Sequence, residues 1–256
     1  MATEERQDDG DGGGAGVPRV LVVRNNDGDG AGNWEQWLAE GGVRLDAVRA
    51  WEGEPLPGRL AHDGLLVLGG AYLPDDDARA PWLAGTRELA RQALDTGVPY
   101  FGICLGGQLL AHVAGGEVRG EHGTPEFGSV RLTLRAEAAD DPLFRGLPPH
   151  PPAIENHVDA ITALPPGARW LASSADCPYQ GFRVGAAAWG VQFHPEARAA
   201  RITRWNPERL ARHGAPDPAH LHAHALREAP EAEAAWRTLA HRFAALVTER
   251  RGAAVA

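Results

Sequence analysis

The chain has 256 residues, 43% hydrophobic and 23% charged, ordinary proportions for a soluble globular protein with room for one large α/β domain or two small ones. A formal net charge of −9 argues against a nucleic-acid partner held by a broad basic face, and no apolar run approaches the ~20 residues needed to span a membrane. All 25 basic residues are arginine, which removes P-loop lysines, lysine Schiff bases and lysine general bases from the available chemistry.

Residues 1–18 are acidic, Gly-rich and predicted to be disordered. Residues 1–16 lack the basic start and apolar core of a signal peptide, so a cytoplasmic setting is expected. A β-branched run predicts a strand over 19–24. The segment 25–32, dense in Asn, Asp and Gly, predicts a loop near the mouth of a site. Asn33 is placed to cap a helix that starts at Trp34 and stops near Gly41-Gly42. Residues 43–48 alternate like a strand, and 65–68 form a buried strand ending at Gly69-Gly70. Pro81 opens an amphipathic helix that runs to Thr96 and stops at Gly97. A buried strand over 98–103 leads directly into a helix over 105–113. This alternation predicts an α/β fold with a mostly parallel central sheet flanked by helices. From Ser129 onward the pattern changes to short strands near 130–134, 153–156, 170–173, 180–184 and 187–193, separated by Pro-rich turns, which predicts additional antiparallel strands. The last sixty residues read as helical, most clearly over 231–250, so a helical C-terminal extension is expected from about 197.

Two cysteines, Cys104 and Cys177, are too few for a disulfide framework. Cys104 lies in Gly102-Ile-Cys-Leu-Gly106, where a buried strand runs straight into a helix. A sharp strand-to-helix turn with small neighbours lifts the side chain clear of the sheet. The positive end of the helix dipole favours a thiolate there, and the N–H of Leu105 faces the space where an oxyanion would form. A nucleophilic cysteine needs a proton shuttle, usually a histidine held by a carboxylate. Trp189-Gly-Val-Gln-Phe-His-Pro-Glu196 delivers His194 at the end of an apolar strand, with Glu196 two residues on. Taken alone, that segment fits a strand-end histidine beside a solvated glutamate as well as it fits a catalytic pair.

Together, Gly102-Ile-Cys-Leu-Gly-Gly-Gln-Leu-Leu-Ala111 and Val191-Gln-Phe-His-Pro-Glu196 resemble the class I (triad) glutamine amidotransferases, in particular stand-alone members similar to the glutaminase domain of GMP synthase. The resemblance covers about residues 19–250 and implies a flavodoxin-like fold. It implies Cys104 as nucleophile, His194 as general base and acid, and Glu196 as the orienting carboxylate. It implies an oxyanion hole made by the N–H groups of Gly70 and Leu105. Gly69, Gln108, Glu126 and His157 are implied to bind substrate. The Gly107 position is often larger in relatives, with no consequence expected for the chemistry. The substrate implied is glutamine or another γ-glutamyl amide, attacked without metal or organic cofactor. The resemblance leaves two roles open: an ammonia source for a separate synthase subunit, and an independent hydrolase of γ-glutamyl amides or peptides.

Other candidates read as structural. Asp27-Gly-Asp-Gly30 starts like a calcium loop, but Leu38 occupies the twelfth position, where a bidentate acid belongs. Asp75-Asp-Asp77 reads as a solvated run. His220, His222 and His224 diverge at i, i+2 spacing on a helix. Cys177 reads as structural, and Trp34, Trp37, Trp82 and Trp236 as core.

Overall fold

The structure is a computed structural model that describes residues 16–255. Residues 1–15 of the predicted tail lie outside the described residues, and Pro18, at its end, accepts the N–H of Arg44 at 2.8 Å. The chain opens with β1 (Arg19–Arg24), α1 (Asn33–Glu40), β2 (Arg44–Arg49) and β3 (Gly64–Val67). Helix α2 (Trp82–Thr96), β4 (Tyr100–Ile103) and α3 (Leu105–Val113) follow. The middle of the chain adds β5 (Glu117–Arg119), β6 (Glu126–Arg131), β7 (Thr133–Leu134), β8 (Pro152–His157) and β9 (Ala160–Ala163). It closes with β10 (Arg169–Ser173), β11 (Gly181–Val184), β12 (Ala188–Val191), α4 (Pro207–Arg212) and α5 (Pro218–Val255).

Eight strands form one sheet in the order β2-β1-β3-β4-β12-β11-β10-β7. Neighbours are parallel from β2 to β12 and antiparallel from β12 to β7. In β1, β3, β4 and β12 both faces are buried, as helix-covered parallel strands require, while the edge strand β2 is half-buried to exposed. Val20 and Val22 pack with Trp34 and Leu38 of α1 and with Trp236 and Phe243 of α5. The alternate residues, Leu21 and Val23, pack with Leu83 and Leu89 of α2 and Leu105 and Leu109 of α3. The antiparallel ribbons β6–β8 and β5–β9 stand apart from the sheet.

The start of α1 differs from expectation. The helix includes Asn33, its N-cap is Gly32, and no side chain caps it. The Asn33 side chain instead accepts from Arg198 Nε at 2.8 Å, and its N–H donates to Glu196 O at 2.9 Å. A tertiary partner has replaced the local one. Helix α5 is part of the core: Leu239, Phe243 and Val247 are fully buried, and the Phe243 ring lies 6.0 Å from Trp34 and 5.8 Å from Phe101.

The carboxyl ends of β1, β3, β4 and β12 lie along one rim of the parallel half, where open α/β sheets bind ligands. The segments that leave these ends carry Asn25-Asn26, Gly69-Gly70, Cys104 and His194.

Candidate active site

Cys104 leaves β4 and is the N-cap of α3, with φ 53° and ψ −109°. A non-glycine residue held in such a region stores about 1–3 kcal/mol of strain. The surrounding backbone enforces it. A Cβ on Gly102 would collide with the Gly106 carbonyl, and one on Gly106 with the carbonyl of Val67. The turn therefore closes only with glycine on both sides of the cysteine. Cys104 N donates to Val191 O at 2.8 Å, and Cys104 O accepts from Gln108 N at 2.9 Å.

His194 arrives from β12, the strand beside β4. Its N–H donates to Ile154 O of β8 at 2.8 Å, and its Nδ1 lies 2.8 Å from Glu196 Oε1. The opposite edge of the ring meets the cysteine beside Gly69: a Cβ there would stand 3.0 Å from His194 Cε1 and 3.4 Å from Cys104 Cβ. Burial opposes a charge on His194, but the Glu196 carboxylate and the Cys104 side chain outweigh it and raise the imidazole to about 10. Burial likewise opposes ionisation of Glu196. The His194 charge, its hydrogen bond and Arg201 overcome that and hold the carboxyl below its usual range. The Arg201 guanidinium lies 4.0 Å from Glu196 Oε1.

Gly70 and Leu105 adjoin: a Cβ on Gly70 would lie 2.8 Å from Leu105 Cδ2. Leu105 is the first residue of α3, and the first N–H groups of a helix have no intrahelical acceptor. A cleft of about 470 Å³ opens over Cys104 and His194, and Gly69, Gly70, Gln108 and His157 all border it. Gln108 Nε2 donates to Gln192 Oε1 at 3.0 Å, and Gln192 Nε2 to Cys104 Sγ at 3.6 Å.

Glu126 lies behind His157, away from the cleft wall. Its Oε2 accepts from Gln180 Nε2 at 2.7 Å and sits 3.1 Å from His157 Nε2. Glu155 lies 3.5 Å from the same nitrogen. Burial first, and then the Glu126 charge, push the Glu155 carboxyl well above its ordinary range. Glu126, His157 and Cys177 offer ligand atoms within 4.8 Å of one another. Burial, with Glu155 and Glu126 nearby, pushes the Cys177 thiol up. This trio is buried polar packing that backs the cleft.

The loop after β1 reaches the site, with Asn26 and Gly30 bordering a small hollow next to His194 and Glu196. Asp76 and Asp77 are taken by Arg79 and Arg87. Sequence reasoning missed Gln192, Asn156, Arg201 and Arg209. Gln192 did leave a signal, a polar residue inside the apolar run Val191-Gln-Phe193. The two arginines left none.

A sequence profile described as Glutamine amidotransferase class-I matches residues 33–205. The chain belongs to this family. It is therefore a cysteine-dependent enzyme of glutamine-amide chemistry. This amidotransferase is similar in structure to a glutamine amidotransferase from Thermotoga maritima, with TM-score 0.79 and 27% identity over 90% of this chain and 99% of that one. It is also similar to a glutamine amidotransferase from Methylobacillus flagellatus, with TM-score 0.74 and 26% identity over 92% and 96% of the two chains. Among curated proteins it is 40% identical over 110 residues to a glutamine-hydrolysing GMP synthase of Streptococcus thermophilus, covering 42% of this chain and 20% of that protein. It is 38% identical over 117 residues to its counterpart in Streptococcus agalactiae, covering 44% and 22%. The matched stretch thus spans about a fifth of those relatives' length. Among the described residues no helix is long and apolar enough to cross a membrane.

Proposed function

We propose that this amidotransferase hydrolyses the γ-amide of glutamine to glutamate and ammonia through a γ-glutamyl thioester on Cys104. The observation that carries the reading is the alignment of Cys104, His194 and Glu196, with the cysteine at a positive-φ elbow and the Glu196 carboxylate 2.8 Å from the far nitrogen of the imidazole. Cys104 Sγ attacks the side-chain carbonyl carbon as a thiolate. The oxyanion forms beside the N–H groups of Gly70 and Leu105, each worth about 3 kcal/mol of barrier. The tetrahedral adduct collapses as the C–N bond breaks, and His194 supplies the proton that lets ammonia leave. Water then attacks the thioester and gives its proton to His194. The C–S bond breaks, glutamate departs and Cys104 is restored. Glu196 holds the ring and stabilises its charge throughout. Gly69, Gln108 and His157 shape the glutamyl site, and Glu126 steadies His157 from behind.

The likeness to glutamine-hydrolysing GMP synthases supports a separate synthase subunit as the acceptor of the ammonia. A cytoplasmic setting accords with the two unpaired cysteines. The test is mass spectrometry of the purified protein incubated with glutamine, with Cys104→Ala in parallel. Glutamate release, together with an added γ-glutamyl group on Cys104 that the variant lacks, is the expected result. Equal glutamate release by both proteins would sink the mechanism.

A further inference from the structure

Three arginines border the cleft, Arg79, Arg201 and Arg209. Arg79 is paired with Asp76, and Arg201 faces Glu196. Arg209 differs from both. Among the described residues its guanidinium has no carboxylate within 4.0 Å; its Nη1 donates to the neutral Asn156 Oδ1 at 2.6 Å, and its plane lies 5.1 Å from the centroid of Phe127. Asp159 borders the same cleft, and its charge acts on Arg209 from a distance. A guanidinium carries five N–H donors in a fixed fork suited to carboxylates. One neutral acceptor and one ring face leave most of that capacity unused.

The backbone that carries Arg209 is also held in place. Asn206 caps α4 by accepting from the N–H of Glu208 and of Arg209 itself, and Leu210 is buried with Ile202, Ile154 and Leu221. Helix α4 lies past residue 205, where the family match ends. Arg209 is thus supplied by the part of the chain outside the matched family segment.

We propose that Arg209 binds a carboxylate of the γ-glutamyl substrate in the catalytic cleft. The proposal rests on the glutamine-amide reading above. Two carboxylates could fill the role: the α-carboxylate of the glutamyl half, or a carboxylate on the amine half when the substrate is a γ-glutamyl amino acid. Both present the same chemistry to the guanidinium.

Binding measured in a Cys104→Ala background, where turnover is stopped, separates them. The ligands are L-glutamine, γ-glutamylglycine and L-glutamine α-amide, titrated calorimetrically against the protein with Arg209 intact, with Arg209→Met and with Arg209→Lys. Methionine keeps an apolar stem against Phe127 and removes the charge. Arg209→Met is expected to weaken binding of the recognised carboxylate about ten- to hundredfold, with partial recovery in Arg209→Lys and no change for a ligand lacking that group. Loss on glutamine and γ-glutamylglycine, but not on the α-amide, assigns the glutamyl α-carboxylate. Loss confined to γ-glutamylglycine assigns the amine half. Equal affinities for all three ligands, or a uniform loss that includes the α-amide, overturn the role of Arg209 and leave the glutamine-amide reading standing. Failure of all three to bind with Arg209 intact overturns that reading and this proposal with it.

Discussion

At the scale of single residues, the strain at Cys104 and the ion pair of His194 with Glu196 lead to graded expectations. Cys104→Ala removes the group that would carry the thioester, and His194→Ala the group that moves the proton, so each is expected to abolish turnover in a stopped glutamate assay. Glu196→Gln keeps shape and most of the hydrogen bonding but removes the charge that holds His194 protonated. Its turnover is expected to fall roughly 10³–10⁴-fold yet stay above the Cys104→Ala background. A Glu196→Gln enzyme at near-normal rate would show that the carboxylate is a spectator. Cys104 stands out locally, as an elbow between a strand and a helix; His194 and Glu196, whose spacing alone fits a solvated strand end as well, were read as its partners only through the resemblance carried by the two segments together. Arg209 and Gln192 take their places from contacts between segments 53 and 84 to 88 residues apart. No local pattern encodes such contacts.

At the scale of elements, the seam between α3 and β12 sets how Cys104 is presented. Helix α3 presses onto β12 at Gly107, where a Cβ would lie 2.5 Å from Val191 O and 2.9 Å from Val191 N; Gly190 faces it, with the Gly107 Cα 3.2 Å from where its own Cβ would be. Gly107→Ala gains about 1 kcal/mol of helix propensity. It meets backbone atoms that cannot rotate away, at about 1–3 kcal/mol for overpacking. The collision should win, and calorimetry should show a lower Tm. An unchanged or higher Tm would mean that α3 can lift off β12 freely. Phe243→Ala in α5 empties a site between Trp34 and Phe101 and should cost about 3–5 kcal/mol in urea unfolding. A loss below 1 kcal/mol would mean that α5 lies on the surface of the fold and outside its core. The buried strands β1, β3, β4 and β12 were readable as apolar runs, and α3 as the helix that follows β4 directly. Strands β5 and β9 carry no such run, and only their pairing with each other makes them strands. The clearest amphipathic stretch of the helical C-terminal part, 231–250, begins just after Pro230, a residue that costs a helix one hydrogen bond. Helix α5 nevertheless runs through it from Pro218, held by buried residues on both sides of the proline, Leu221 and Ala225 before it and Trp236 and Phe243 after it.

At the scale of the whole molecule, the buried charges of His194, Glu196 and Glu155 shape stability against pH. The folded chain raises His194 from 6.5 to about 10, so between those values it keeps a proton that the unfolded chain releases. The stability from this group is therefore full below about 6.5, erodes as pH rises, and is gone above about 10. Glu196 is lowered from 4.5, so its contribution is full above that value and is lost as pH falls through the folded value. The two windows overlap best between about 4.5 and 6.5. Glu155, raised well above 4.5 by burial, adds a second loss on the alkaline side, because its buried carboxyl resists giving up a proton that the unfolded chain releases readily. Because the His194 charge also lowers Glu155, the comparison with His194→Gln/Glu196→Gln is made with Glu155→Gln in both proteins, so that only the pair titrates differently. Between pH 6.5 and 10 the parent is expected to lose up to about 1.4 kcal/mol more per pH unit than the double variant, read as diverging Tm curves by calorimetry. Parallel curves would mean that His194 titrates near its ordinary value inside the fold. In that case neither Glu196 nor Cys104 holds the imidazole charged in the free protein, and His194 would gain the proton it gives to ammonia only as Cys104 attacks.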